Sequence, residues 1–483
     1  MVEETLNEFS NFLRIIHQPV TFSNTDIVKQ NCKIYKVDSN WLNIFINYDI
    51  VIFPFFTNDI GSNVLAAACR CLYDSFGRSY AGYLKINPNI SFSKKNIENY
   101  FKQIVLHEIY HVLIFHPSIF NAFNMVSRGP DQNSNCSIIS KTALKIARKH
   151  FNCKSLTGIP LEDQGGPGNI CGHWESRYML GDFMISKDYV DNIMSDITLA
   201  LFNDSGIFRA QPYSGGLFKF GKNKGCKFFN KNCIENQKGI RKTSFPNEFC
   251  TDYGKEICSA SRMSKGTCVL YNFLKEVEPT KYQYFDNKKQ GGFNPANYCP
   301  VCIQNPTETD YYPTSCNFGT PTNYGEKMGD TSFCFMSSLL PSSSSSTPTP
   351  KPTCYKVECN TKKNNIIVHI GTSKVTCPKS GGTIKLSGFK GSIDCPKYTE
   401  ICNSNKLCNN LLGCIKKKSK TKKSILDEDS YTYLDDEDNN ENRNSSENEP
   451  GNEEDIINLI KRNSSINVKY NFYFIISFLV LYP

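Results

Sequence analysis

In the stretch VLHEIYHVLIFH, residues 105–116, two histidines stand four positions apart with a glutamate directly after the first. Few short patterns restrict a fold as tightly. His107 and His111 can act together only on a helix, which advances about 100° per residue and so turns both imidazoles to one side. Glu108, one position on, then lies within reach of whatever the two rings hold. On a helix, H-E-x-x-H is a zinc-binding pattern with the glutamate as general base. The chain has only seven histidines, so a chance pairing at this spacing is improbable. A helix face that buries two of them must also satisfy their ring nitrogens.

A working zinc centre takes three protein ligands and keeps a fourth position open, so a third ligand has to be found. His116 lies five residues past His111, which rotates it about 140° off the ligand face. His17 sits near the chain start. His150 falls in a basic helix, ARKHF, and is expected to face solvent; His369 falls in an apolar strand, NNIIVHIG, and is expected to be structural. His173 remains. It follows a glycine-rich loop in NICGHWESR, and loops on a rigid scaffold commonly carry such groups. Glu175 stays open as a carboxylate alternative, because sites with two histidines and one glutamate exist.

The surrounding patterns give a mixed set of elements. DIVIFPFF (49–56) reads as a buried strand and SNVLAAACRCLYD (62–74) as helical. GRSYAGYLKINPN (77–89) reads as a strand. The helix carrying the HEIYH pattern is expected to open at Ser93 and to stop by Pro117, which has no N–H to continue it. SKTALKIARKHF (140–151) and VDNIMSDITLALFNDSG (190–206) read as further helices, the second closed by Gly206.

Taken in order, HEIYH, LEDQGG, GHWESR and then Met184 in GDFMIS resemble the leishmanolysin-like metalloproteases, a branch of the metzincins. In that family the third histidine is displaced by a long insertion, and a methionine follows it by eleven residues. Here His173 comes 62 positions after His111, and Met184 comes eleven after His173. The resemblance implies one Zn²⁺ per chain held by His107, His111 and His173, with Glu108 as the catalytic base and Met184 as an apolar floor. It also implies an α+β fold, with a metzincin-like catalytic domain built on a mixed sheet and a long active-site helix. A cysteine-rich, mostly β or irregular C-terminal domain follows. By the same likeness, the strand AGYLKINPN lines the cleft and pairs with an extended peptide. Two departures stand out. The family has glycine three residues past the second histidine, where this chain has Ile114. A β-branched residue resists positive φ, so the helix is expected to run on and turn nearer Pro117. No propeptide cysteine is apparent, and Cys32 reads as structural.

Cysteine usage bounds the compartment. There are 22, most of them from Cys226 onward. Such a count in loop-rich sequence argues for disulfides and an oxidising environment. Of the CPVC cysteines, Cys299 and Cys302, a disulfide role is favoured over zinc, because no second C-x-x-C exists. Sequons at Asn89, Asn135, Asn203, Asn444 and Asn463 fit export. The opening MVEETLNEFSNFLRIIH has no basic n-region or apolar core, so a truncated start is expected. At the other end, Phe472 to Tyr482 is apolar but too short to span a bilayer. With Asn463, Ser464 and Ser465 before it, the order fits a GPI-attachment signal.

The net charge of +9 is unevenly spread, with KKKSKTKK at 416–423 and DEDSYTYLDDEDN at 427–439. Opposite blocks of this kind read as a solvated tail, and nothing supports nucleic-acid binding. The expected units are 1–116 (N-terminal catalytic subdomain), 117–225 (central subdomain), 226–340 (cysteine-rich domain), 341–353 (Ser/Pro-rich linker), 354–415 (second cysteine-rich segment), 416–462 (charged tail) and 463–483 (anchor signal). The functional expectation is a monomeric zinc endopeptidase at the cell surface or outside the cell. It would act on proteins or peptides, with cell-surface or matrix proteins as further partners and the C-terminus as membrane anchor. The competing expectation is a cysteine-rich adhesion protein with an impaired catalytic domain.

Overall fold

In the computed structural model the described residues are 13–15 and 50–402, apart from 62–63, 74–76, 130–135, 167, 190–191, 211–217, 238–239 and 305–306. Expectations that fall on Cys32, His17, Asn135 or anything after Cys402, including the charged tail and the anchor signal, lie outside them. Helices and sheets mix along the chain, as the α+β class requires.

The first sheet has three strands, β1 (Val51–Phe56), β2 (Ala66–Tyr73) and β3 (Ser79–Ile86), with β3 in the middle. β1 runs parallel to β3 and β2 antiparallel to it. Pro54 has no N–H to give a second neighbour, and it sits in β1, whose one partner is β3. The strand readings at 49–56 and 77–89 therefore describe real strands. The helical reading of 62–74 does not. Three consecutive alanines carry high helix propensity, but β3 offers an open edge and β2 fills it. Tertiary pairing overrides the local preference. A further correction follows, since β3 is flanked on both sides and cannot take a peptide strand. The sheet edges belong to β1 and β2.

Helix α1 (Ile97–Leu113) packs across β2 and β3. It does not begin at Ser93. Asn96, in the left-handed region at φ 63°, precedes it, and its amide donates to Asp310 Oδ1 at 2.7 Å. Close approach of helix to sheet is set by Gly82, where an added Cβ would lie 2.7 Å from Val112 Cγ1. Ser79 Oγ donates to the Val112 carbonyl at 2.6 Å in the same contact. The helix does not run on toward Pro117 either. It ends at Leu113, and Ile114 leaves it at φ −148°. The chain turns there without any left-handed residue, so the expected strain never arises. The Ile114 and Phe115 amides both bond the Tyr110 carbonyl. Pro117 then opens a new helix, α2 (Pro117–Ala122), with His116 Nδ1 accepting from the Ser118 amide.

α3 (Lys141–Phe151) and α5 (Asp196–Asp204) lie side by side, with the one-turn α4 (Ser176–Met179) between them in sequence. Asp204 accepts from the Thr142 and Ala143 amides at 2.9 Å each, a negative charge at a helix N-terminus. Gly206, at φ 69°, follows the cap of α5. His150 corrects another expectation. It is half-buried, stacks on Phe218 and bonds the Phe220 carbonyl at 2.8 Å instead of facing water.

Beyond Cys226 the order depends on cross-links. Disulfides join Cys153–Cys226, Cys233–Cys299, Cys250–Cys268, Cys258–Cys334, Cys316–Cys354, Cys359–Cys402 and Cys377–Cys395. Cys299 of CPVC is thus bonded to Cys233. A six-stranded antiparallel sheet includes β4 (Ser332–Ser337), β5 (Lys351–Asn360) and β6 (Asn365–Ile370). β4 and β5 are adjacent, so the strands on either side of the Ser/Pro stretch share one sheet. His369, in β6, lies 2.8 Å from Glu358. Among the described residues no helix is long and apolar enough to cross a membrane.

Candidate metal centre

α1 delivers two imidazoles one turn apart, and the loop before α4 delivers a third. The Nε2 atoms of His107 and His111 are 3.1 Å apart, and each lies 3.2 Å from His173 Nε2. Glu175 does not join them. It caps α4, accepting from the Arg177 amide at 3.0 Å. His116 is exposed and bonded to Ser118 Oγ.

The outer ring nitrogens decide what the inner ones can do. His107 Nδ1 lies 2.9 Å from the Phe183 carbonyl, and His111 Nδ1 lies 2.7 Å from the Phe115 carbonyl. A carbonyl only accepts, so both Nδ1 atoms donate, and both Nε2 atoms keep a lone pair. Burial favours neutral rings, pushing His107 down to about 4 and His173 down to about 3. His111 is pushed well below its ordinary value by burial and then by its two neighbours. Acceptor nitrogens facing one another cannot hydrogen-bond among themselves. Zinc–nitrogen bonds of about 2.0–2.1 Å at the tetrahedral angle place nitrogens about 3.4 Å apart. The observed triangle, at 3.1–3.2 Å, fits that donor set closely.

Main-chain bonds place the backbone that carries the third ring. The Glu162 amide donates to the His173 carbonyl at 2.8 Å, and the Trp174 amide to the Met184 carbonyl at 2.9 Å. Cys171, two residues earlier, is bonded to Cys136. Met184 is wholly buried, and its amide donates to Asp182 Oδ1 at 2.8 Å. Thr198 links Asp182 at 2.8 Å to Trp174 Nε1, also at 2.8 Å. The turn that holds Met184 thereby also aims the Phe183 carbonyl at His107. Glu108 is buried, and desolvation raises its carboxyl to about 8, opposed by a bond from the Ala68 backbone in β2.

Sequence reasoning brought forward every side chain of this cluster and missed the main-chain partners. The carbonyls of Phe115 and Phe183 and the backbone of Ala68 carry no residue signature. The one available signal was the chain turn after each histidine-bearing segment.

A family model described as Leishmanolysin matches residues 1–408. The Leishmanolysin of Leishmania tropica is 26% identical over 401 residues, covering 79% of this chain and 59% of the relative. The Leishmanolysin homolog of Crithidia fasciculata is 28% identical over 369 residues, 71% of this chain and 53% of the relative. A Leishmanolysin-like peptidase of Drosophila pseudoobscura pseudoobscura is 30% identical over 303 residues, 56% and 44% respectively. The chain spans between 44% and 59% of the length of these relatives.

Proposed function

The chain belongs to the leishmanolysin family, and from that premise we propose that it is a zinc-dependent endopeptidase. His107, His111 and His173 hold one zinc ion, and Glu108 is the general base. The observation that carries this reading is the triangle of ring nitrogens at 3.1–3.2 Å, with no proton to share between His107 and His111.

A zinc ion held there supplies Lewis acidity toward a scissile carbonyl, lowers the pKa of water toward neutrality, and opposes with its charge the burial that raises Glu108. The Glu108 carboxylate takes a proton from the attacking water and passes it to the leaving nitrogen. The Phe115 and Phe183 carbonyls hold the His111 and His107 rings in register, as outer partners of ligating histidines do. Met184 closes the apolar floor. The edge of β2 offers main-chain groups to an extended substrate, and its Ala68 backbone bond holds Glu108. The substrates are proteins or peptides, and the disulfides support an exported protein acting at or outside the cell surface.

Glu108→Ala tests the assignment. Zinc content should stay at about one per chain, while cleavage of a denatured protein substrate falls by about 10²–10⁴-fold. Equal cleavage by parent and variant would remove Glu108 from the mechanism. An inactive parent with zinc bound would remove the peptidase reading.

A further inference from the structure

Beside the histidines, but separate from them, three carboxylates converge inside the fold. Glu162 and Asp163 come from the LEDQGG segment and Glu175 from the start of α4. One oxygen from each lies within 4.8 Å of the other two. Glu162 and Glu175 are each 2% exposed. Buried carboxylates are rare unless they are paired or bind a cation.

The donors around them cover only part of their oxygens. Glu162 Oε1 accepts from the Gln164 amide at 3.0 Å and Oε2 from Ser186 Oγ at 2.9 Å. Asp163 Oδ2 accepts from the Tyr282 hydroxyl at 2.6 Å, with Lys281 Nζ 3.7 Å away. Glu175 Oε1 accepts from the Arg177 amide at 3.0 Å. Asp163 Oδ1 and Glu175 Oε2 are buried with no hydrogen-bond partner. The positive charge nearby does not cover them. Lys281 is mostly exposed, and the Arg177 guanidinium bonds the Lys231 carbonyl at 2.6 Å.

We propose that Glu162, Asp163 and Glu175 form a second cation site, for a hard divalent ion of the calcium class. Calcium takes oxygen ligands at about 2.3–2.6 Å, so two oxygens of one shell stand at most about 4.6–5.2 Å apart, and the three oxygens here, within 4.8 Å of one another, meet that limit. The two orphaned oxygens become ligands, and water entering past the half-buried Asp163 completes the shell. The role is structural. The Glu162 backbone brackets the His173 loop, its amide on the His173 carbonyl and its carbonyl on the Cys171 amide, while Glu175 follows His173 by two residues. An ion between the two arms ties down the loop that carries the third ring, and Tyr282 couples it to the cysteine-rich region. None of this depends on whether the histidines bind zinc.

The test uses the full oxidised chain. Terbium(III) occupies calcium sites and is excited through nearby tyrosine, here Tyr282. The expected result is saturable terbium emission displaced by calcium, together with a Tm that rises as calcium is added. Asp163→Asn and Glu175→Gln should each weaken terbium binding by about tenfold or more. Emission that survives both variants places the ion elsewhere and overturns the site. A parent with neither terbium emission nor any Tm shift in calcium, magnesium or manganese overturns it too, leaving protons as the partners of these oxygens. If Glu175→Gln does not fold, Asp163→Asn and the parent titration decide the question.

Discussion

Ile114 occupies the position where the family resemblance implies a glycine, and its backbone, at φ −148°, asks for none. The side chain is fully buried in the core beneath α1. Restoring the family residue should therefore harm the protein. Ile114→Gly removes a buried branched side chain and adds backbone freedom to the unfolded chain, a combined loss of about 3–5 kcal/mol. Denaturant unfolding reads this directly, and a neutral or stabilising result would show that the turn is built otherwise. The site chemistry should suffer as well, because the same turn carries the Phe115 carbonyl that orients His111. At this scale the sequence was highly legible. Seven histidines, a helix periodicity and one glycine-rich loop sufficed to bring His107, Glu108, His111 and His173 forward. Their Nδ1 partners were illegible, because a carbonyl is the same group in every residue.

Among the elements, the contact between α1 and the sheet is the one on which the centre rests. Gly82 sets it, with Val112 Cγ1 and Cγ2 at 2.7 and 2.9 Å from a would-be Cβ and the Cys69 carbonyl at 3.0 Å. Val112 is buried and branched at Cβ, so it cannot swing aside cheaply. Gly82→Ala should cost about 1–3 kcal/mol through overpacking. It should also weaken zinc binding by lifting the last turn of α1, as a metal-competition assay would detect. An unchanged affinity would mean that the helix end moves independently of β3. Element types were read correctly where one local signal dominated, as in the apolar run of β1, the alternation of β3 and the helical spacing of α1. β2 was misread because its residues prefer a helix in isolation and become a strand only through an edge provided by residues 79–86. The start of α1 was misplaced for a similar reason. Its first turn is set by the Asn96 contact with Asp310, more than two hundred positions away, and not by a local cap.

At the scale of the whole chain, covalent links hold the described C-terminal residues, where short strands and loops alternate around a six-stranded sheet. Eight disulfides and a bonded Cys71 engage at least seventeen of the 22 cysteines. The pairing could not be read from spacing, since it depends on which loops the fold folds back together. Cys136–Cys171 spans 35 positions and closes two residues before His173. Replacing both cysteines by serine should cost about 3–4 kcal/mol, the loop-closure entropy returned to the unfolded chain. The zinc content of the folded fraction should drop with it; full occupancy in that variant would show that Glu162 and Trp174 suffice to hold the ring. Cys136–Cys171 also imposes a sequence of events. While the newly made chain is still reduced, α1 presents only a two-nitrogen chelate, a poor grip that any divalent transition metal can enter and leave. Thiol oxidation then closes the loop two residues before the third nitrogen and adds a covalent tie to the main-chain bonds that place it. On the proposed zinc reading, metal loading should therefore follow the redox state of the compartment in which the chain matures, with the reduced chain holding zinc more weakly than the oxidised one.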